Sequence, residues 1–202
     1  MKKRPSTEEV EPSRWAELVA KGTLNAVNGL SQMVGRKLEI RALDLRRIPT
    51  SEAANLVGGA TNEVAAIYLG ISGGATGHIM LVYPTEVAFG VVDMLMGYEA
   101  GETQELGEME TSALAEVGNV TGSFFLNSLG NDTGILLHPS PPVVMLDMAG
   151  AILDVAISDI MQERDEIFAM EALFTASDRS VSGTLLVLPT GDFMDSMSEY
   201  SL

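Results

Sequence analysis

The second half of this chain repeats the first, and the repeat limits the folds open to it more than composition does. A shift of 99 positions places Ser13 on Ser112, Ala16 on Ala115, Glu17 on Glu116, Asn28 on Asn127 and Leu30 on Leu129. A shift of 105 places Ser72 on Ser177, Val82 on Val187, Pro84 on Pro189 and Thr85 on Thr190 without a gap. The additional residues of the second half fall in its longer middle segment.

Each half reads as helix, strand, short helix, hairpin, helix. In the first half, Trp15, Leu18, Val19, Leu24, Val27, Leu30 and Val34 recur at helical spacing from Pro12 to Gly35. LEIRALDLRRI then alternates apolar and polar residues as a half-buried strand does. Thr50 or Ser51 is placed to cap a short helix ending at Gly58 and Gly59. VAAIYLGIS and GHIMLVYP form a hairpin around GGAT, and Pro84–Thr85–Glu86 opens the helix through VAFGVVDMLMG.

In the second half, EMETSALAEVGNVTGSFFLNSLG (108–130) is a helix and GILLHP a short strand. Met145, Ala149, Ile152, Leu153, Ala156 and Ile160 give a second helical period, extending back to the prolines at 141 and 142. EIFAMEALFTAS and VSGTLLVLP form a second hairpin, and PTGDFMDSMSEY a closing helix.

One hairpin and one strand alone make a marginal sheet, so the halves must share one. The expected fold is α/β (α+β): two pseudo-twofold-related α/β halves forming one continuous, mainly antiparallel sheet flanked by helices. It is expected as one domain over 12–202, with half-repeats at about 12–97 and 108–202 and an acidic connector at 98–107. Residues 1–11, of mixed charge and almost without apolar residues, read as a flexible lead-in.

Composition excludes several chemistries. With no cysteine there is no disulfide, thiolate metal site or cysteine nucleophile, and two histidines, His78 and His138, give poor support to a zinc site or a triad. Both read as structural. A formal charge of −16 disfavours nucleic acid and anionic membranes, and suits solubility or a basic protein partner. No apolar run reaches the roughly 20 residues that span a bilayer, and no signal segment opens the chain, so a cytoplasmic protein is expected.

Three polar residues stand out in the 108–130 helix. At about 100° per residue, Ser112, Glu116 and Asn119 fall within about 60° of one another, while Leu114, Val117, Val120 and Phe124 are expected on the opposite side. Gly118 costs about 1 kcal/mol against alanine, which asks for close packing or close approach by another backbone. Most such polar stripes are only solvated helix edges. The repeat argues for more here, because the halves agree at the Ser and the Glu but Asn119 is matched by Ala20. One working site is expected, not two.

Ser112-x3-Glu116-x2-Asn119, followed after 21 residues by Pro141, resembles the signature of the CheC/CheX/FliY phosphatases. The likeness runs from about Pro12 to the C-terminus and is nearest to the CheC branch, since no long extra domain of the FliY type is present. It implies a phosphatase acting on phosphorylated CheY, the response regulator of chemotaxis, with Mg²⁺ supplied by CheY and no cofactor of its own. It also implies that Asn119 orients the attacking water, that Glu116 pairs with a lysine of the regulator, and that Ser112 and Pro141 support the helix and its neighbouring loop. The first copy, Ser13, Glu17 and Ala20, departs from the signature at its third residue and has no proline at Ala42 or Leu43, so it is expected to be inactive. Some relatives also bind the receptor deamidase CheD, for which no residue signature is present. The alternative is a non-catalytic adaptor for CheY, CheD or the flagellar switch.

The twelve methionines read as core filler. GISGGATG lacks the Lys-Ser/Thr of a phosphate-binding loop and reads as a hairpin turn.

Overall fold

The computed structural model describes residues 14–161, 166–175, 180–190 and 193. The expected lead-in, Ser13 and all of the expected closing helix but Pro189, Thr190 and Phe193 lie outside them. Four α-helices are described: α1 (Arg14–Met33), α2 (Thr85–Met96), α3 (Glu108–Thr133) and α4 (Ala149–Met161). The strands are β1 (Glu39–Pro49), β2 (Glu63–Gly73), β3 (Gly77–Pro84), β4 (Leu137–Pro139), β5 (Val143–Met148), β6 (Glu166–Thr175) and β7 (Ser180–Pro189). A 3-10 helix covers Thr50–Val57.

The seven strands make one sheet, ordered β1-β6-β7-β3-β2-β4, with β5 also on β2 and every pairing antiparallel. This order is what the repeat requires. Exchanging the halves turns β1 into β4 and β5, β2 into β6 and β3 into β7, leaving the order unchanged. The pseudo-twofold axis therefore runs between β3 and β7.

Alternation along β2 divides its residues between two cores. Ala65, Ile67, Leu69 and Ile71 enter the larger core with Val27 and Leu30 of α1, Val91 of α2, and Leu114 and Phe125 of α3. Val64 and Ala66 enter a second core with Ala53 and Val57 of the 3-10 helix and Ile152 of α4. Burying a side chain such as Ile67 contributes about 1.5–3 kcal/mol, and a strand buried on both faces holds the layers together.

Three local expectations change. Val143–Met148 is strand, not the start of a helix. Two prolines hold the preceding chain extended, and β2 offers an edge that β5 closes over Glu63 to Tyr68, so the helix starts only at Ala149. The 3-10 helix is preceded by Pro49 and has no side-chain cap; Thr50 is buried inside it. Leu24 shares the α1 spacing but is exposed.

The acidic connector is tied down by a residue that charge counting overlooks. Asp93 of α2 is fully buried, and its two carboxylate oxygens accept hydrogen bonds from Gly101 N (2.8 Å) and Thr103 N (2.9 Å). Truncating it strands the buried Thr103 N–H. Asp93→Ala is expected to cost about 2 kcal/mol, measured as a lower denaturation midpoint at constant m-value. An unchanged midpoint would show that the connector is anchored elsewhere.

Candidate functional site

Helices α1 and α3 lie side by side, antiparallel. Lys21 meets Asp132 (2.5 Å), Asn25 Nδ2 donates to Ser128 Oγ (2.9 Å), and Gly29 lies under the Phe124 ring. Each contact steps forward four residues on α1 and back four on α3. One further step brings Met33, the end of α1, level with Val120. The first three turns of α3, including Ser112, Glu116 and Asn119, therefore extend beyond its partner helix. By the same register Glu17 stands one turn beyond the Lys21–Asp132 pair, about 30 Å from Glu116 along the helix axis. The two copies of the motif lie at opposite ends of the pair.

Ser112, Glu116 and Asn119 are all exposed. Asn119 Nδ2 donates to Glu116 Oε2 at 3.4 Å, a long contact that leaves the amide oxygen free. Among the described residues Glu116 has no ion pair. The cations of the segment after α1 are engaged elsewhere: Lys37 (3.1 Å) and Arg41 (3.2 Å) flank Glu39 and hold its carboxyl below the usual range. Ser112 stands in the second turn of a helix whose N-cap is Gly107, so it caps nothing.

The buried side of α3 is Leu114, Val117 and Phe125, with Val120 half-buried. Phe124, expected inside, is 38% exposed and rests over Gly29 at the edge of the helix pair. Gly118 and Gly122 are buried as well. A Cβ on Gly118 would collide with Ile67 Cγ2 and lie 3.2 Å from Pro142 Cβ, and one on Gly122 would lie 2.9 Å from Leu69 Cδ2. Gly118 thus serves close packing.

That packing brings the proline loop against the helix. Pro139 pairs with Ile71 and Val143 with Tyr68, so Ser140, Pro141 and Pro142 face only Leu69 and Gly70 and bulge from the sheet. Ser140 fastens the bulge, donating its N–H to Gly70 O (2.8 Å) and accepting from Gly70 N through Oγ (2.9 Å). Pro141 is exposed at the crest, while Pro142 lines a shallow groove with Ser112 and Ala115. Pro142 and Ser140, not singled out from the sequence, are the residues that seat the loop. The Ser-Pro-Pro run and Gly118 together carried that signal.

The first copy differs in more than its third residue. Ala20 is half-buried on the main core, whereas Asn119 is exposed. Ala66 pairs with Met145 and its repeat mate Glu171 with Asp44, so Pro141 is matched by Ile40, not by Ala42 or Leu43. β1 carries its own irregularity there, between Ile40 and Ala42. The bulge is common to both halves, but only the second fills it with prolines.

His78 is half-buried and stacks on Tyr68, its Nδ1 2.5 Å from the Tyr68 hydroxyl; His138 is exposed on β4. GISGGATG turns between β2 and β3. Among the described residues no three His, Asp or Glu side chains converge as a metal site needs, and no helix is long and apolar enough to cross a membrane.

The site is thus an exposed Glu-Asn ridge beside a proline bulge, on a twofold-repeated α/β sheet. The CheC-like family matches residues 109–146, the segment holding the ridge and the bulge. The CheY-P phosphatase CheC of Bacillus subtilis (strain 168) is 27% identical over 180 residues, covering 87% of this chain and 86% of that protein. Thermotoga maritima FliY superposes with a TM-score of 0.75 over 97% of this chain and 98% of its own, at 20% identity. A chain of the CheX–CheY–BeF3–Mg²⁺ complex from Borrelia burgdorferi gives 0.56 at 19% identity, over 85% of this chain and 97% of its own. The chain is therefore similar to CheC, FliY and CheX over most of its length, and shares their fold.

Proposed function

We propose that this chain is a cytoplasmic phosphatase that removes the aspartyl phosphate of CheY with one site, Glu116 and Asn119. The observation that carries the proposal is their placement: two exposed side chains one turn apart on the part of α3 that α1 does not reach, joined to each other only by a long 3.4 Å contact.

The chemistry needs little more. Phosphoryl transfer gains mainly from positioning and charge stabilisation, and the regulator supplies its own Mg²⁺. With Glu116 paired to the regulator's lysine, Asn119 is held over the phosphoryl group. Its amide oxygen accepts a hydrogen bond from a water, directing the water oxygen in line at phosphorus. As that bond forms, the bond from phosphorus to the aspartyl oxygen breaks, and a free carboxylate and inorganic phosphate leave. An amide suits this position, since a carboxylate would repel the phosphoryl oxygens. Ser112 and Pro141 act through the helix and loop beside the ridge. The relative in Bacillus subtilis bears the name of a CheY-P phosphatase, which supports the same substrate here.

The deciding experiment follows phosphate release from phosphorylated CheY with and without this protein, and with CheD, a second proposed partner. Acceleration supports the proposal. Binding without acceleration favours an adaptor, a reading consistent with Ala20, where one copy of the motif has already lost its amide. Because the first copy is inactive in this scheme and about 30 Å away, Glu17→Ala is expected to leave turnover within a factor of about two. A large drop would reveal a second working site.

A further inference from the structure

Methionine was expected inside, and Met33 and Met96 are half-buried against the main core, yet with the exposed Met109 they line a groove beside the ridge. α1 ends at Met33, α2 ends at Met96 and α3 begins at Glu108, and the three helix ends enclose a groove reaching Glu116. Met33, Leu95, Met96 and Met109 line it, with Glu108 and Glu116 at its rim. Met109 is 62% exposed in the first turn of α3, where an apolar side chain is left largely in water. Unbranched thioethers suit a surface that must fit another protein's side chain, because they repack without strain.

Charge indicates what enters. No Lys or Arg stands between Arg47 and Arg164, while Glu99, Glu102, Glu105, Glu108, Glu110 and Glu116 crowd the connector and the first turns of α3. A second copy of this chain packed groove to groove would bring the same acidic rim and be repelled. A complementary surface has an apolar side chain flanked by lysine or arginine.

We propose that the Met33–Met96–Met109 groove is the docking cleft for such an apolar, base-flanked segment on the phosphorylated regulator itself, binding it while Asn119 reaches the phosphoryl group. This rests on the proposed function. Docking here works through contacts kept alike before and during reaction, so its loss raises KM and leaves kcat unchanged.

The test uses the full chain and CheY loaded with beryllofluoride and Mg²⁺. Affinity is measured in an Asn119→Ala background, where chemistry plays no part, with Met109→Ser added and with Met109→Leu as the conservative control. Met109→Ser is expected to weaken binding about tenfold, with Met109→Leu near the parent and unchanged melting in both. In the otherwise wild-type chain the same Met109→Ser should raise KM by that factor at constant kcat. Glu108→Gln should slow association and reduce its salt dependence. Equal affinity of the Met109→Ser and parent proteins overturns the groove while leaving the phosphatase proposal standing. Turnover indifferent to Asn119→Ala overturns the phosphatase proposal while the affinity series still judges the groove. Absence of any CheY binding overturns both.

Discussion

Asn119→Ala is expected to slow phosphate release from phosphorylated CheY by about a hundredfold or more while binding persists. The side chain is exposed, its one internal contact is long, and the helix continues through it to Thr133, so alanine removes a functional group without disturbing the fold. What is lost is the alignment of one water, and a positioned donor or acceptor in a site of this kind is worth about 10²–10³ in rate. Binding survives because the rest of the ridge and the helix ends are intact. Asn119→Asp should be no better than alanine, since it places a negative charge against phosphoryl oxygens. The measurement is single-turnover decay of phosphorylated CheY at saturating protein, which separates chemistry from docking. Decay as fast with the alanine protein as with the parent would leave the adaptor as the surviving reading.

The repeat made the sheet legible before any coordinates. Two halves aligned at shifts of 99 and 105 leave few ways to build a sheet, and the observed strand order is the one that exchanges into itself. Both hairpins and the polar stripe of α3 were legible for the same reason, since each depends on local periodicity. What failed depended on partners distant in sequence. Val143–Met148 shares apolar spacing with the helix that follows, and only the open edge of β2 decides that it is strand. Phe124 and Leu24 fit the apolar periods of their helices but lie at the margin of the α1–α3 contact, where the antiparallel register leaves them partly in water. The match of Pro141 to the first half was misplaced because alignment by helix offset ignores residues gained between helix and strand. The exposed Met109 was hidden by its type, since nothing local distinguishes it from the buried Met94.

The ridge, the bulge and the sheet meet at Gly118, and this makes its replacement the largest stability effect expected at the site. Gly118→Val adds three carbon atoms where even one is too many: the first already collides with Ile67, which is fully buried, and crowds Pro142. Helix propensity pulls the other way, favouring most residues over glycine by a few tenths to about 1 kcal/mol. Overpacking of a close-packed interior costs about 1–3 kcal/mol, and β-branching stiffens the added side chain against relief. The clash wins, and a net loss of about 2 kcal/mol or more is expected in denaturant unfolding. Ile67 sits in the middle of a doubly buried strand, so the softer neighbour must yield. That neighbour is the Ser140–Pro142 bulge, held to the sheet chiefly through Ser140 and Gly70. Its displacement should reduce turnover even in the fraction that remains folded, whereas Asp93→Ala, which acts on the connector and not on the Ser140–Gly70 seat of the bulge, should lower stability with less effect on turnover per folded molecule. If Gly118→Val proved as stable as the parent and fully active, the helix could not be seated on β2 as described, and the proline bulge would have no part in presenting Glu116 and Asn119.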